Sequence, residues 1–228
     1  MLSVELHCHS EESYDGRDSV DLLLERAADI GLDAIAVTDH DEITASLEAV
    51  ERAPLYDLLG IPGIEISTAA GHVLALGIEE RIPPALTFAD TLARIRDAGG
   101  VAVVPHPFQE LRHGVLAEIS RDELAGADAV EVYNSRLFTG RSNRQARRFA
   151  RERDLPMTGG SDAHIAEMVG QAVTRVDPPE VTVSAILEEI CQGRTAVEGR
   201  RTPWRISARQ FASGVHRRVA HRLRGFGL

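Results

Sequence analysis

Residues 33–40 read Asp-Ala-Ile-Ala-Val-Thr-Asp-His. A short apolar run of this kind reads as a buried strand, and it ends in an acid and a histidine. The same layout recurs along the chain. Val4–Cys8 is a strand-like run leading into His7-Cys8-His9, with Asp15 close behind. Glu65 lies inside Ile61–Ser67, and His72 opens the next run, His72–Ile78, after a turn at Ala69-Ala70-Gly71. Val101–Val104 runs into Pro105-His106-Pro107, and Leu155–Thr158 into Gly159-Gly160-Ser161-Asp162-Ala163-His164. Six of the nine histidines therefore fall in clusters beside acids, mostly where an apolar run gives way to a turn. An α/β protein carries its active site there.

Between these runs lie helical patterns. Asp18–Ile30 places Val20, Leu23, Leu24 and Ala27 on one face and stops at Gly31. Thr44–Arg52, a segment opened by Thr87-x-x-Asp90 and closed by Gly99-Gly100, Arg141–Arg153 and Thr182–Gln192 complete the set. Ala127–Tyr133 is one more strand. Alternation of this kind predicts a parallel α/β fold. Ligands at several strand ends favour a closed barrel over an open sheet, because a barrel gathers those ends at one mouth.

Composition narrows the function classes. The 228 residues carry 43% hydrophobic side chains and a net charge of −10, with 25 arginines and no lysine. No apolar run approaches the roughly 18 residues of a membrane span. The start, MLSVELHCHS, lacks the layout of a signal peptide, and Cys8 and Cys191 suggest no disulfide framework, so a cytoplasmic protein is expected. Neither GxGxxG nor GxxxxGK[ST] occurs, which leaves a Rossmann or P-loop nucleotide site unsupported. From Arg194 onward the chain is +8, so the preceding body is −18, which argues against broad nonspecific nucleic-acid binding. Residues 201–228 form a basic tail distinct from the body at 1–200. There Phe211, Val215, Val219 and Leu223 recur at helical spacing among arginines. An amphipathic C-terminal helix packing on the body is expected, with a phosphate-rich substrate or a membrane surface as the other reading of that stripe.

Histidine and carboxylate ligands with no cysteine partner point to a catalytic site of several ions rather than a structural zinc knot. His7 and His9, at i and i+2, face one side of a strand and can share an ion, and Asp162 and His164 repeat the spacing. A carboxylate at Glu65, inside an apolar stretch, is costly unless paired or metal-bound. Asp39 could also cap a helix. His72 and His106, taken singly, fit a core or turn histidine equally well. Cys8 reads as a small buried residue, and His113, His216 and His221 as surface residues.

The ordered motifs ELHCHSEESYDG, AVTDHDE, GIEIS…GHVLALGI, VVPHPF, EVYN and GGSDAH resemble the PHP (polymerase and histidinol phosphatase) family of metal-dependent phosphoesterases, from Leu2 to about Gly199. The resemblance implies a distorted (β/α)7 TIM-like barrel holding two or three divalent ions, with manganese, zinc or iron all compatible. Carried over by motif, His7, His9, Glu65 and Asp162 hold one ion. Glu65 bridges to a second, held by His72 and His106. Asp15, His40 and His164 hold a third, with aspartate at position 15 where some relatives have histidine. Asp39 orients an imidazole or contacts an ion, and His40, Asp39 and His164 are the candidate catalytic residues. Asn134, Arg136 and Arg141 are candidates for binding substrate. The activity implied is hydrolysis of a phosphate ester, most simply a small phosphomonoester. The alternatives are a nuclease or phosphatase acting on nucleotide bisphosphates or 5′-phosphorylated ends, and a non-catalytic metal-binding module.

Overall fold

The computed structural model describes residues 1–109, 119–136 and 140–201. The expected tail helix, and with it His216 and His221, lies outside the described residues, as does His113.

Ten strands form two five-stranded mixed sheets. The first sheet has the order β10 (Thr195–Gly199), β9 (Ala172–Val176), β1 (Leu2–Cys8), β2 (Ala34–Val37), β3 (Leu59–Gly60). The second runs β4 (Gly63–Thr68), β5 (Gly71–Leu76), β6 (Val101–Val104), β7 (Ala129–Asn134), β8 (Met157–Gly160). Helices α1 (Val20–Asp29), α2 (Thr44–Arg52), α3 (Phe88–Asp97), α4 (Arg121–Leu124), α5 (Arg141–Glu152) and α6 (Val183–Cys191) connect the strands. The predicted cap at Thr87 forms, accepting from the Asp90 amide, and Thr182 caps α6 in the same way, accepting from the Ala185 amide.

The α/β class is as expected, but the described strand ladders form no closed barrel. The topology departs from β/α alternation in two places. The short turn before Gly71 folds β5 back on β4 as an antiparallel hairpin, and β5 is again antiparallel to β6. A tight turn can join antiparallel strands only, whereas parallel ones need a long crossover. Strands β9 and β10 are not foreseen: β9 runs antiparallel to β1, and β10 runs antiparallel to β9. The two sheets meet instead at two narrow seams. At one, the Asp162 amide donates to the His7 carbonyl at 2.8 Å and the His9 amide to the Ala163 carbonyl at 2.7 Å. At the other, the Glu65 amide donates to the Asp39 carbonyl at 3.1 Å and the Asp41 amide to the Glu65 carbonyl at 2.9 Å. Both seams carry the candidate ligands.

Packing follows strand alternation. Val4, Leu6, Ala34, Ala36, Leu74, Leu76, Val101 and Val103 join α6 residues Ile186, Leu187 and Ile190 in one cluster shared by both sheets. The opposite faces pack outward, Ile35 and Val37 with the α1 residues Leu23, Leu24 and Ala27, and Ala102 and Val104 with Leu92, Ile95 and Phe149. Helices anchored in this way on both sheets hold the strand ends, and so the site, in a fixed frame. No helix among the described residues is long and apolar enough to cross a membrane.

Candidate metal centre

The C-terminal ends of β1, β2, β6 and β8 deliver His7 and His9, His40, His106, and Asp162 with His164. Glu65 comes from within β4. His72 comes from the start of β5, which lies at the same mouth because that strand runs the other way. All nine predicted ligands converge, with donor atoms mutually within 4.8 Å in four overlapping groups: His7–His9–Glu65, His7–His106–Asp162, His40–Glu65–His72 and His9–Asp15–His40–His164.

Glu65 stands at the centre, 1% exposed. Its Oε2 lies 3.2 Å from His7 Nε2, 3.2 Å from His9 Nε2 and 3.4 Å from His40 Nδ1. Its Oε1 lies 2.9 Å from His72 Nδ1 and 3.4 Å from His106 Nε2. One carboxylate thus faces two sets of imidazoles, one with each oxygen, as a bridging ligand does. The grouping differs in detail from that implied by motif: His106 sits with His7 and Asp162, and His9 joins the Asp15 corner.

Electrostatics follow from this crowding. Burial opposes ionisation of Glu65, but His40, His72 and His7 together hold its pKa well below the usual carboxylate range. Burial, with repulsion from neighbouring imidazoles, lowers the pKa of His40 to about 4 despite the acids beside it. His9 is lowered by burial and by His164. For His164 the causes are burial, then the Arg136 guanidinium. Neutral imidazoles are the form that binds metal. His7 moves the other way: burial lowers its pKa, but Glu65 and Glu131 outweigh burial and raise it.

The donor set fits divalent cations. His9 Nδ1 and His106 Nδ1 are buried without a hydrogen-bonding partner. Each such atom costs about 1–3 kcal/mol unless a cation or proton satisfies it. His106 and Asp162 also hold positive φ angles of 32° and 51°, strained for side-chain-bearing residues, and strain of this kind persists where surrounding contacts enforce it.

Behind the ligands lies a set of acids that was not singled out from sequence. Glu131 accepts from His7 Nδ1 at 3.0 Å, from the His106 amide at 3.0 Å and from Asn134 Nδ2 at 2.9 Å. By taking the Nδ1 proton it turns His7 Nε2 toward Glu65. A Cβ on Gly160 would lie 2.6 Å from both Glu131 Oε1 and His7 Cβ, so only glycine permits this approach of β8. Glu5 accepts from the amides of His7, Ser161 and Gly170 at 3.0–3.1 Å and so joins β1 to the loop bearing Asp162. One signal could have found both residues. Each is a carboxylate inside an apolar strand, in VELHC and AVEVY, which is the argument applied to Glu65.

Asp39 is buried, and its carboxylate accepts from the Ser10 amide at 2.6 Å and the Ser10 hydroxyl at 2.5 Å. It fastens the segment after His9 to the segment bearing His40 rather than orienting an imidazole, and it belongs to none of the ligand groups. Asn134 is 1% exposed and donates to Glu131 and to Asp162 Oδ2, the latter at 3.2 Å. Arg136 reaches Asp162 Oδ1 at 3.1 Å and His164 Nε2 at 2.9 Å. Arg141 opens α5 on the exposed surface and makes no ion pair among the described residues.

Fold and site together define an α/β protein with a histidine- and carboxylate-rich centre, and sequence comparison agrees. The PHP domain model matches residues 5–136, and a PHP-associated model matches residues 140–195. The chain belongs to the PHP domain family. It is 33% identical over 175 residues to an uncharacterized protein of Methanocaldococcus jannaschii, covering 75% of this chain and 69% of that one. Among solved structures, it resembles a two-domain protein from Bacteroides vulgatus containing a predicted PHP-like metal-dependent phosphoesterase, with a TM-score of 0.75 and 23% identity. That match covers 87% of this chain and 65% of the other. A lesion-specific endonuclease from Pyrococcus furiosus gives a TM-score of 0.66 at 17% identity, covering 86% and 57% of the two chains. At these identities the structural likenesses establish the fold.

Proposed function

We propose that this chain is a metal-dependent phosphoesterase acting on a small phosphomonoester, and that residues 1–200 carry the activity as one unit. The observation that supports the reading most is the bridging position of Glu65, with five imidazoles about one carboxylate and buried donor atoms left without partners. Divalent ions held there, manganese, zinc or iron, would supply an activated water and positive charge against the phosphoryl oxygens. The chain's own residues do the rest. Glu65 holds the two sides of the centre in register. Glu131, Glu5 and Asp39 fix the ligand-bearing segments, so that little reorganisation accompanies reaction. His40 and His164 stand together at the Asp15 corner, within reach of a bound ion. Arg136, held against Asp162 and His164, adds a fixed positive charge beside the cluster.

The ring of Tyr14 stacks on His40 with centroids 4.7 Å apart, covering that side of the cluster. The second reading, a nuclease or nucleotide phosphatase, draws on α5. This helix carries Arg141, Arg144, Arg148 and Arg151 on its exposed surface, and Asn143 ties it to the end of β7 by two hydrogen bonds with the Asn134 backbone.

Phosphate release separates these readings. The panel holds histidinol phosphate, a nucleoside 3′,5′-bisphosphate, a 5′-phosphorylated oligonucleotide and an aryl phosphate, each with manganese, zinc or chelator. Chelator-sensitive release from a small monoester is expected. Turnover of the oligonucleotide alone would replace that reading with the nuclease one. Metal-loaded protein that turns over none of the four would favour the non-catalytic module.

A further inference from the structure

The Asp15 corner contains an arrangement that two groups of the cluster cannot satisfy by themselves. His164 Nδ1 lies 2.9 Å from the Asp162 carbonyl oxygen, which can only accept, so Nδ1 carries the proton and Nε2 presents a lone pair. That lone pair faces Asp15 Oδ2 at 2.8 Å. Two acceptors at this separation repel unless a positive group lies against both.

The positive group present is a side chain. Arg136 Nη1 is 2.9 Å from His164 Nε2 and 3.1 Å from Asp162 Oδ1, and Nη2 is 4.0 Å from Asp15 Oδ2. The Arg136 side chain is only 12% exposed. Its backbone amide donates to Asn134 Oδ1 at 3.0 Å, which sets the turn that aims it inward. A guanidinium with several donors in a plane can serve a nitrogen lone pair and two carboxylates together, in the way a cation does. Among the described residues the Glu65 centre has no such side chain: the side chains within ion-pair distance of it are all histidines.

We propose that Arg136 is a built-in third cation. Its guanidinium fills the corner offered by Asp15, His40 and His164, so that the chain holds two divalent ions around Glu65 rather than three. This rests on the reading that the cluster binds divalent ions. Removing the guanidinium leaves Asp15 and Asp162 buried and unneutralised, and an ion is then the group that replaces it.

Metal content tests this without reference to turnover. Wild-type protein, Arg136→Ala, Arg136→Lys and the double variant Arg136→Ala/Asp15→Asn are loaded with manganese, freed of excess by dialysis and measured by elemental analysis. The expected contents are about two equivalents per chain for wild type and Arg136→Lys, about three for Arg136→Ala, and about two again for the double variant. If Arg136→Ala does not fold, Arg136→Gln, which keeps most of the side chain's length, carries the same expectation of three. Three equivalents in wild type, or an unchanged count on loss of the guanidinium, overturn the proposal while leaving the phosphoesterase reading intact. A wild-type protein that retains no manganese, zinc or iron overturns both.

Discussion

Glu5 and Glu65 are both fully buried acids in strands, 0% and 1% exposed, and they behave oppositely. Burial raises the pKa of Glu5 to about 7, although three backbone amides donate to it. Glu65 meets the same penalty, yet its imidazoles hold it well below the usual range. The difference lies in company, not depth. Neutral amide dipoles offset part of the cost of a buried carboxylate, whereas groups able to carry positive charge reverse it. One acid therefore reads as a fastener and the other as a ligand. Glu131 stands between them, since it fastens His106 and Asn134 but also bonds directly to the ligand His7.

The comparison is broken most severely at Glu65. Glu65→Gln keeps the shape but removes the charge the imidazoles surround, and phosphate release should fall by roughly 10³-fold or more, with loss of bound metal. Wild-type turnover and metal content in that variant would show that the bridge is not central.

Glu5 is tested through pH. Its folded pKa, about 7, lies above the ordinary glutamate value of 4.5, so the folded state holds the proton more tightly than the unfolded chain. That contribution to stability is complete below about pH 4.5 and is lost as pH rises through about 7, a difference on the order of 3 kcal/mol for a shift of this size. Denaturant melts of metal-free protein at pH 5 and pH 8 should show this fall in wild type. Glu5→Gln, which mimics the protonated acid, should flatten it. Parallel pH profiles for the two proteins would count against a buried, reluctantly ionised Glu5.

The smallest effect is expected at Glu131. Glu131→Ala frees the His7 ring and should weaken metal binding by about 10–100-fold, with metal restoring part of the activity at high concentration. Titration calorimetry reads this directly, and an unchanged affinity would reduce Glu131 to a packing residue.

Much of the centre was legible in sequence because ligand chemistry leaves a local trace. The i, i+2 spacing of His7 and His9 and the acids and histidines set at the ends of apolar runs need no tertiary information, and nine of the residues so marked, all but Asp39, meet in space. Asn134 is a substrate-binding candidate by its place at a strand end, but the structure turns its amide to Glu131 and Asp162, the latter distant in the chain. Asp39 was marked for standing beside His40, and Ser10 takes it instead.

The amino-acid sequence by itself determined the α/β class, the helix starts at Thr87 and Thr182 and which histidines and acids are candidate ligands, since periodicity, capping and residue chemistry act over a few positions. Only the tertiary structure decided that the strands divide between two sheets, that Glu65 faces imidazoles with both oxygens, and that Arg136 reaches into the Asp15 corner. Strand direction, the pairing of distant edges and the placement of charge against charge depend on residues far apart in the chain. A buried strand has the same apolar composition whichever way its neighbour runs.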